Sequence, residues 1–212
     1  MGAGYPESLS MVRGFAQAVA ANREYLTQLD AEIGDADHGI NMDRGMSAVL
    51  PKVEALTDHD ISGLFRTVAM TLISTVGGAS GPLYGTVFLQ LASSLKGRSE
   101  VGLGEWAEAV SAAVAAVQSR GKAQPGDKTM VDALLPAAEA LQAAQAEGVP
   151  FSEGLARATK AAHGGMEATI PLVARRGRAS YLGERSAGHQ DPGATSSWLL
   201  MEAAEAAFAK GK

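Results

Sequence analysis

The sequence predicts an all-α protein, an antiparallel up-and-down bundle of eight helices in a single domain over residues 1–212. Three observations carry this. Apolar residues recur at three- and four-residue intervals in eight stretches, and no stretch sustains the period-two alternation of a strand. Hydrophobic residues make up 46% of the chain but aromatics only 5%, so Ala, Leu, Val and Met must fill the core, as suits closely packed helices. The stretches are separated by polar breaks, four of them glycine-rich.

The first helix is predicted from about Glu7 to Leu29, with Val12, Phe15, Val19, Leu26 and Leu29 along one face. An acidic turn follows, and Asp37 is placed to cap a second helix through Met42, Met46, Val49 and Val53, which Pro51 is expected to kink. Thr57 to Asp60 resembles a capping box before a third helix carrying Leu64, Phe65, Val68, Leu72 and Val76. Beyond Gly77–Pro82 a fourth helix carries Tyr84, Val87, Phe88, Leu91 and Leu95; a fifth carries Trp106, Val110, Val114 and Val117. Thr129 to Asp132 is a second capping box, opening a sixth helix through Leu134 and Leu141. A seventh runs from the Gly148–Ser152 break to about Ala174, with Leu155, Met166, Ile170 and Val173 inward. After a polar connection over 175–193, Asp191 as N-cap and Pro192 in first helical position open the last helix, with Trp198, Met201 and Phe208.

Composition narrows the functions open to such a bundle. A net charge of −5 offers no footprint for nucleic acid, and the lack of cysteine excludes disulfides and thiolate metal sites. The N-terminus has no secretory pattern, and Pro6 stands where myristoylation wants Ser or Thr. No apolar run is long enough to span a bilayer. The expectation is a cytoplasmic protein acting on a small molecule.

The glycine-rich breaks at 34–39, 77–81, 121–126 and 188–193 follow the first, third, fifth and seventh helices. In an up-and-down arrangement alternate connections lie at one end, so these four converge. The first holds Asp30, Asp35 and Asp37, carboxylates that repel unless protons or a cation intervene and that suit Mg²⁺. The second leads to a helix N-terminus able to hold phosphate, with the Ser80 hydroxyl beside it. Lys122 and Lys128 flank the third, where Met130 offers an adaptable apolar contact for a base. The fourth has Arg178 and Arg185 for phosphate charge and Asp191 as an acceptor for a ribose hydroxyl or an adenine amino group.

Each feature has a plainer reading. Aspartates at helix ends are as often caps as ligands, and Gly78–Pro82 can be a mere helix stop and start. The acidic turn departs from the calcium-loop pattern at His38 and Gly39, and Asp127 interrupts what would otherwise approach a P-loop. The four histidines show no paired ligand spacing: His59 is expected at the surface and His163 at the end of a helical turn.

The motifs GDADHGINMDRG, GGASGPLYGTVFL, GDKTMVDAL and GRASYLGERSAGHQDPGA, in this order over essentially the whole chain, resemble the nucleotide-binding L subunit family of dihydroxyacetone kinase. The resemblance implies an eight-helix antiparallel barrel with ADP or ATP at one end and two Mg²⁺ ions on Asp30, Asp35 and Asp37. It places His38, Gly39, Ile40, Asn41, Gly78, Ala79, Ser80, Gly121, Thr129, Met130, Arg178, Asp191, Pro192 and Gly193 around the nucleotide. It implies transfer of a phosphoryl group from the Mg-bound nucleotide to dihydroxyacetone held on a partner K subunit, aided by Arg178. In the version linked to the phosphotransferase system, ADP stays bound as a coenzyme and a phosphohistidine-carrying M subunit recharges it. The free-standing L subunit favours that version. The alternatives are an ATP-dependent kinase subunit for dihydroxyacetone or a related keto sugar, and a nucleotide-binding regulatory module without turnover. A homodimer is compatible with either; nucleic acid and membrane are not expected partners.

Overall fold

The computed structural model describes residues 2–209. Among them lie nine α-helices: α1 (Tyr5–Ala21), α2 (Arg23–Ile33), α3 (His38–Glu54), α4 (Ile61–Thr75), α5 (Ser80–Ser94), α6 (Leu103–Gly121), α7 (Val131–Glu147), α8 (Phe151–Ala168) and α9 (Pro192–Phe208). A 3-10 segment, Arg178–Ser186, lies between the last two. Extended pairing among the described residues is confined to one isolated antiparallel bridge between Ala3 and Val101.

Packing runs α1–α3–α4–α5–α6–α7–α8–α9, and α9 returns against α1. Eight helices therefore close into an antiparallel barrel, while α2 extends beyond the ring and packs on α3 and α9. Side chains fill the interior: Phe15 meets Tyr84 at 5.9 Å, Phe65 meets Phe88 at 5.9 Å, and Trp106 stands edge-on to Phe208 at 5.0 Å. One apolar cluster runs through all of these, with alanines letting the helices approach. A smaller cluster of Ile33, Ala174 and Ala179, covered by Leu182, seats the 3-10 segment over the end of α2.

Four local expectations are corrected. The helix expected over Glu7–Leu29 is broken at Asn22, whose side-chain amide donates to the Ala18 carbonyl at 2.9 Å and competes with straight propagation. The helix expected to reach Ala174 stops at Ala168: the Thr169 hydroxyl donates to the Met166 carbonyl at 2.6 Å, and Pro171 lacks an N–H. Ile170 is accordingly 38% exposed rather than inward. Asp60, not Thr57, caps α4, accepting from the Gly63 amide at 2.7 Å. His163 lies inside α8, edge-on to Trp198 at 5.0 Å.

Candidate metal and nucleotide site

The connections α2–α3, α4–α5, α6–α7 and α8–α9 meet at one end of the barrel around a cavity of about 380 Å³. Parity of the connections is what puts them there.

The acidic turn forms one wall. Asp30, in the last turn of α2, is buried, and its Oδ2 accepts from the Asp37 amide at 2.8 Å and the His38 amide at 3.1 Å. It thus satisfies the start of α3 in place of Asp37, whose own side chain makes no capping bond although it holds the N-cap position. Ala36 is driven into the left-handed region at φ 60°, which turns Asp35 and Asp37 back toward Asp30. One carboxylate oxygen from each lies within 4.8 Å of the others. Asp35 is raised above its ordinary pKa by burial first and by Asp37 next, with Arg178, at 3.2 Å, opposing. Gly34 is required here, because a Cβ at that position would overlap Asp30 Oδ1.

At the next wall, Gly78 has φ 65° and α5 begins at Ser80. Ser80 Oγ lies 3.0 Å from His38 Nδ1, His38 Nε2 lies 2.8 Å from Ser196 Oγ, and Ser196 Oγ lies 2.6 Å from the Tyr84 hydroxyl. Burial holds the His38 pKa down to about 4 and pushes Tyr84 up to about 12, so both are neutral at pH 7. A neutral imidazole has one N–H. A Ser80 proton free to face an anion therefore requires that N–H on Nδ1, with Nε2 accepting from Ser196.

The remaining walls are apolar and polar by turns. Leu83, Val117, Ala123 and Met130 supply an apolar face. Asp132 ties the third loop together, accepting from Gly126 N at 2.5 Å and Thr129 N at 2.7 Å, while Thr129 Oγ1 accepts from Val131 N at 3.2 Å. The capping box expected there is only half made: Asp132 takes the Thr129 amide, but Thr129 Oγ1 takes the Val131 amide rather than that of Asp132, and Met130 holds the N-cap position without a side-chain bond. Asp191 caps α9, accepting from the Ala194 amide at 2.7 Å, and its own amide donates to Thr169 Oγ1 at 3.0 Å. Burial pushes the Asp191 carboxyl up to about 7; Asp132 and Asp30 add to this, and the Ala194 amide and Lys128 oppose it.

Of the residues singled out from sequence, Asp30, Asp35, Asp37 and His38 line the cavity from the first break, and Gly78, Ala79 and Ser80 from the second. Gly121, Thr129 and Met130 line it from the third, and Arg178, Asp191, Pro192 and Gly193 from the fourth. Three others are placed elsewhere. Gly39 is buried against the Arg23 backbone, where a Cβ would overlap the carbonyl oxygen. Ile40 is 41% exposed, in an outer groove with Arg23 and Thr27. Asn41 lies beneath Gly77 and accepts from Arg44 Nη2 at 2.7 Å. Lys122 and Arg185 do not line the cavity either. Sequence reasoning missed Ser196 and the polar role of Tyr84, and named Lys128 only as a flank. The Ser196–Ser197 pair directly before the apolar run Trp198–Met201 was the available signal.

Fold and site together define an all-α barrel that gathers three carboxylates, a helix N-terminus and an apolar face around one end cavity. The chain matches the DAK2 domain family over residues 32–206 and belongs to it. It is 49% identical over 179 residues to the ADP-binding subunit DhaL of the PEP-dependent dihydroxyacetone kinase of Escherichia coli, covering 84% of this chain and 85% of that one. To the PTS-dependent counterpart of Lactococcus lactis it is 44% identical over 188 residues, covering 89% and 90%. These matches bear out the L subunit family read from the four motifs. The dihydroxyacetone kinase of C. freundii, solved with AMP-PNP and Mg²⁺, superposes with a TM-score of 0.72 at 26% identity. The superposition covers 96% of this chain and 34% of that one, so the chain spans about a third of that polypeptide.

Proposed function

We propose that this chain is the ADP-binding subunit of a phosphoenolpyruvate-dependent dihydroxyacetone kinase. It passes a phosphoryl group from bound nucleotide to dihydroxyacetone on a K subunit, and an M subunit recharges the ADP in place. The observation that carries this reading is the meeting of Asp30, Asp35 and Asp37 within 4.8 Å beside the N-terminus of α5. High identity to DhaL subunits supports the same choice of donor.

The three carboxylates fit Mg²⁺. They are hard oxygen donors, the Asp37 side chain is free of capping duty, and their mutual repulsion is what a divalent cation relieves. Such ions, when bound, neutralise phosphate oxygens and the charge that develops on them during transfer. The chain's own groups do the rest. Amides at the start of α5 and the Ser80 hydroxyl donate to the phosphates, and Arg178, now 3.2 Å from Asp35, adds positive charge at the rim. Leu83, Val117 and Met130 receive the base, and Asp191 accepts from a ribose hydroxyl or an adenine amino group.

The AMP-PNP complex of the C. freundii kinase favours a second reading, in which ATP exchanges at this site. One experiment separates the two. The protein is purified, denatured and assayed for released nucleotide, then reconstituted with a K subunit and either an M subunit or ATP. Stoichiometric ADP and turnover with M alone support the proposal; turnover with ATP alone supports the second reading. No product with either donor leaves a binding module without turnover.

A further inference from the structure

Lys128 is 1% exposed, an unusual fate for an ammonium that forms no direct ion pair with a carboxylate among the described residues. Its Nζ donates to the carbonyl oxygens of Ser186 at 2.6 Å, Leu172 at 3.1 Å and Ile170 at 3.4 Å, and to that of His189. All four belong to the 170–190 segment between α8 and α9, much of which lacks α-helical hydrogen bonds to occupy its carbonyls. The same segment bears Arg178 and leads into Asp191, while Lys128 stands two residues before Met130, which lines the same cavity. Lys128 also holds φ 62°, a left-handed backbone that favours glycine and persists only where surroundings over-determine it. Adjacent bonds reinforce the joint: the Arg175 amide donates to the Asp127 carbonyl at 3.0 Å, and Arg176 lies 3.4 Å from the Asp127 carboxylate.

We propose that Lys128 is a positioning residue: a tethered monovalent cation whose ammonium clamps the 170–191 segment to the Met130 wall and so sets Arg178 and Asp191 for a nucleoside diphosphate. The inference rests on the nucleotide reading of this cavity. Nothing in the chemistry requires the clamp to be lysine's own. An ammonium with three donors among carbonyl oxygens is interchangeable with a free alkylammonium of the same shape.

The test uses Lys128→Gly, which removes the cation and eases the positive φ. ADP affinity is measured by calorimetry with Mg²⁺ in the wild type and the variant, both first stripped of copurified nucleotide by unfolding and refolding, without additive and with n-butylammonium chloride or, at equal ionic strength, tetramethylammonium chloride. Expected is an affinity loss of about tenfold or more, from hydrogen bonds to a charged group, recovered with n-butylammonium and not with tetramethylammonium, which has no N–H. Affinity within about twofold of wild type, or a loss that n-butylammonium leaves unchanged, overturns the proposal. Failure of the wild type to bind ADP overturns the nucleotide reading itself, and this inference with it; wild-type binding with an unaffected variant removes this inference alone. Should the variant not fold, ¹⁵N-lysine labelling of the wild-type chain decides. A slowly exchanging Lys128 NH₃⁺ resonance at neutral pH that shifts on adding ADP supports the clamp, and a resonance that ADP leaves unmoved overturns it.

Discussion

His38 Nε2 and Ser196 Oγ lie 2.8 Å apart although 158 positions separate them in the chain. Their contact joins the start of α3 to the first turns of α9, and through Nδ1 it reaches Ser80 at the start of α5. Ser196→Ala leaves the buried His38 Nε2 without its Ser196 partner and the Tyr84 hydroxyl with Ser197 Oγ at 3.1 Å in place of both serines. The expected cost is about 1–3 kcal/mol in urea unfolding, with weaker ADP binding because the Ser80 hydroxyl loses its enforced orientation. Tyr84→Phe, which keeps the ring and removes the far end of the relay, should act in the same direction on binding and less strongly. Calorimetric titration of both variants with Mg²⁺ and ADP checks the order.

Asp30 and Asp35 should respond oppositely when no metal is present. Asp35 is raised above its ordinary pKa by burial and then by Asp37, so Asp35→Asn relieves unfavourable charge and should raise the melting temperature of the metal-free protein. Asp30→Ala strips the acceptor from the Asp37 and His38 amides and should cost about 1–2 kcal/mol, as loss of a helix cap does. Added Mg²⁺ should stabilise the wild type and neither variant. Thermal unfolding with and without Mg²⁺ reads all three; a normal Mg²⁺ response in either variant removes that residue from the metal site.

Gly34→Ala tests the turn without replacing a ligand residue. The new methyl would overlap Asp30 Oδ1, so the carboxylate must rotate away from its amides and from Asp37. Mg²⁺-dependent ADP affinity should fall by about tenfold or more, since misplacing a supporting group by a fraction of an ångström is enough at a preorganised site. Retention of full affinity would show that the turn tolerates what its geometry forbids.

Stability of the ligand-free protein should carry two opposed pH terms. Asp191 is pushed from an ordinary 3.8 up to about 7, so the folded chain keeps a proton that the unfolded chain has released. Its contribution is complete below pH 3.8 and is lost as pH rises through about 7. His38 runs the other way: held down to about 4 from 6.5, it contributes stability above pH 6.5 that is lost as pH falls toward 4. The two offset one another across the shared interval. Asp191→Asn keeps a capping oxygen and removes the first term, so its stability should climb more steeply with pH than that of the wild type. Urea titrations at several pH values measure the two slopes, and equal slopes would count against the buried, protonated Asp191.

Much of the end cavity was legible because it depends on order alone. Glycine-rich breaks after alternate helices lie at one end whatever the side chains do, and helical periodicity marked the helices that form the ring. The acidic turn was legible as a cluster, since Asp35 and Asp37 are near neighbours in sequence. Which aspartate caps α3 was not legible: Asp30 takes the amides, a choice set by a backbone turn through Ala36 rather than by residue type. The same holds for Ile40, which is exposed on the outside, and Asn41, which is buried behind Gly77: both share a segment with His38 yet do not line the cavity, because a helix turns successive side chains to different sides.

By itself the sequence determined the helical class, the end at which the loops gather and the carboxylate chemistry, since periodicity, connectivity and residue type are local properties. Only the tertiary structure decided the buried connections: His38 to Ser196, Asp191 to Thr169, and Lys128 to the carbonyls of a segment more than forty positions away. A polar group earns a buried position by finding partners there, and those partners are brought together by packing, not by spacing along the chain.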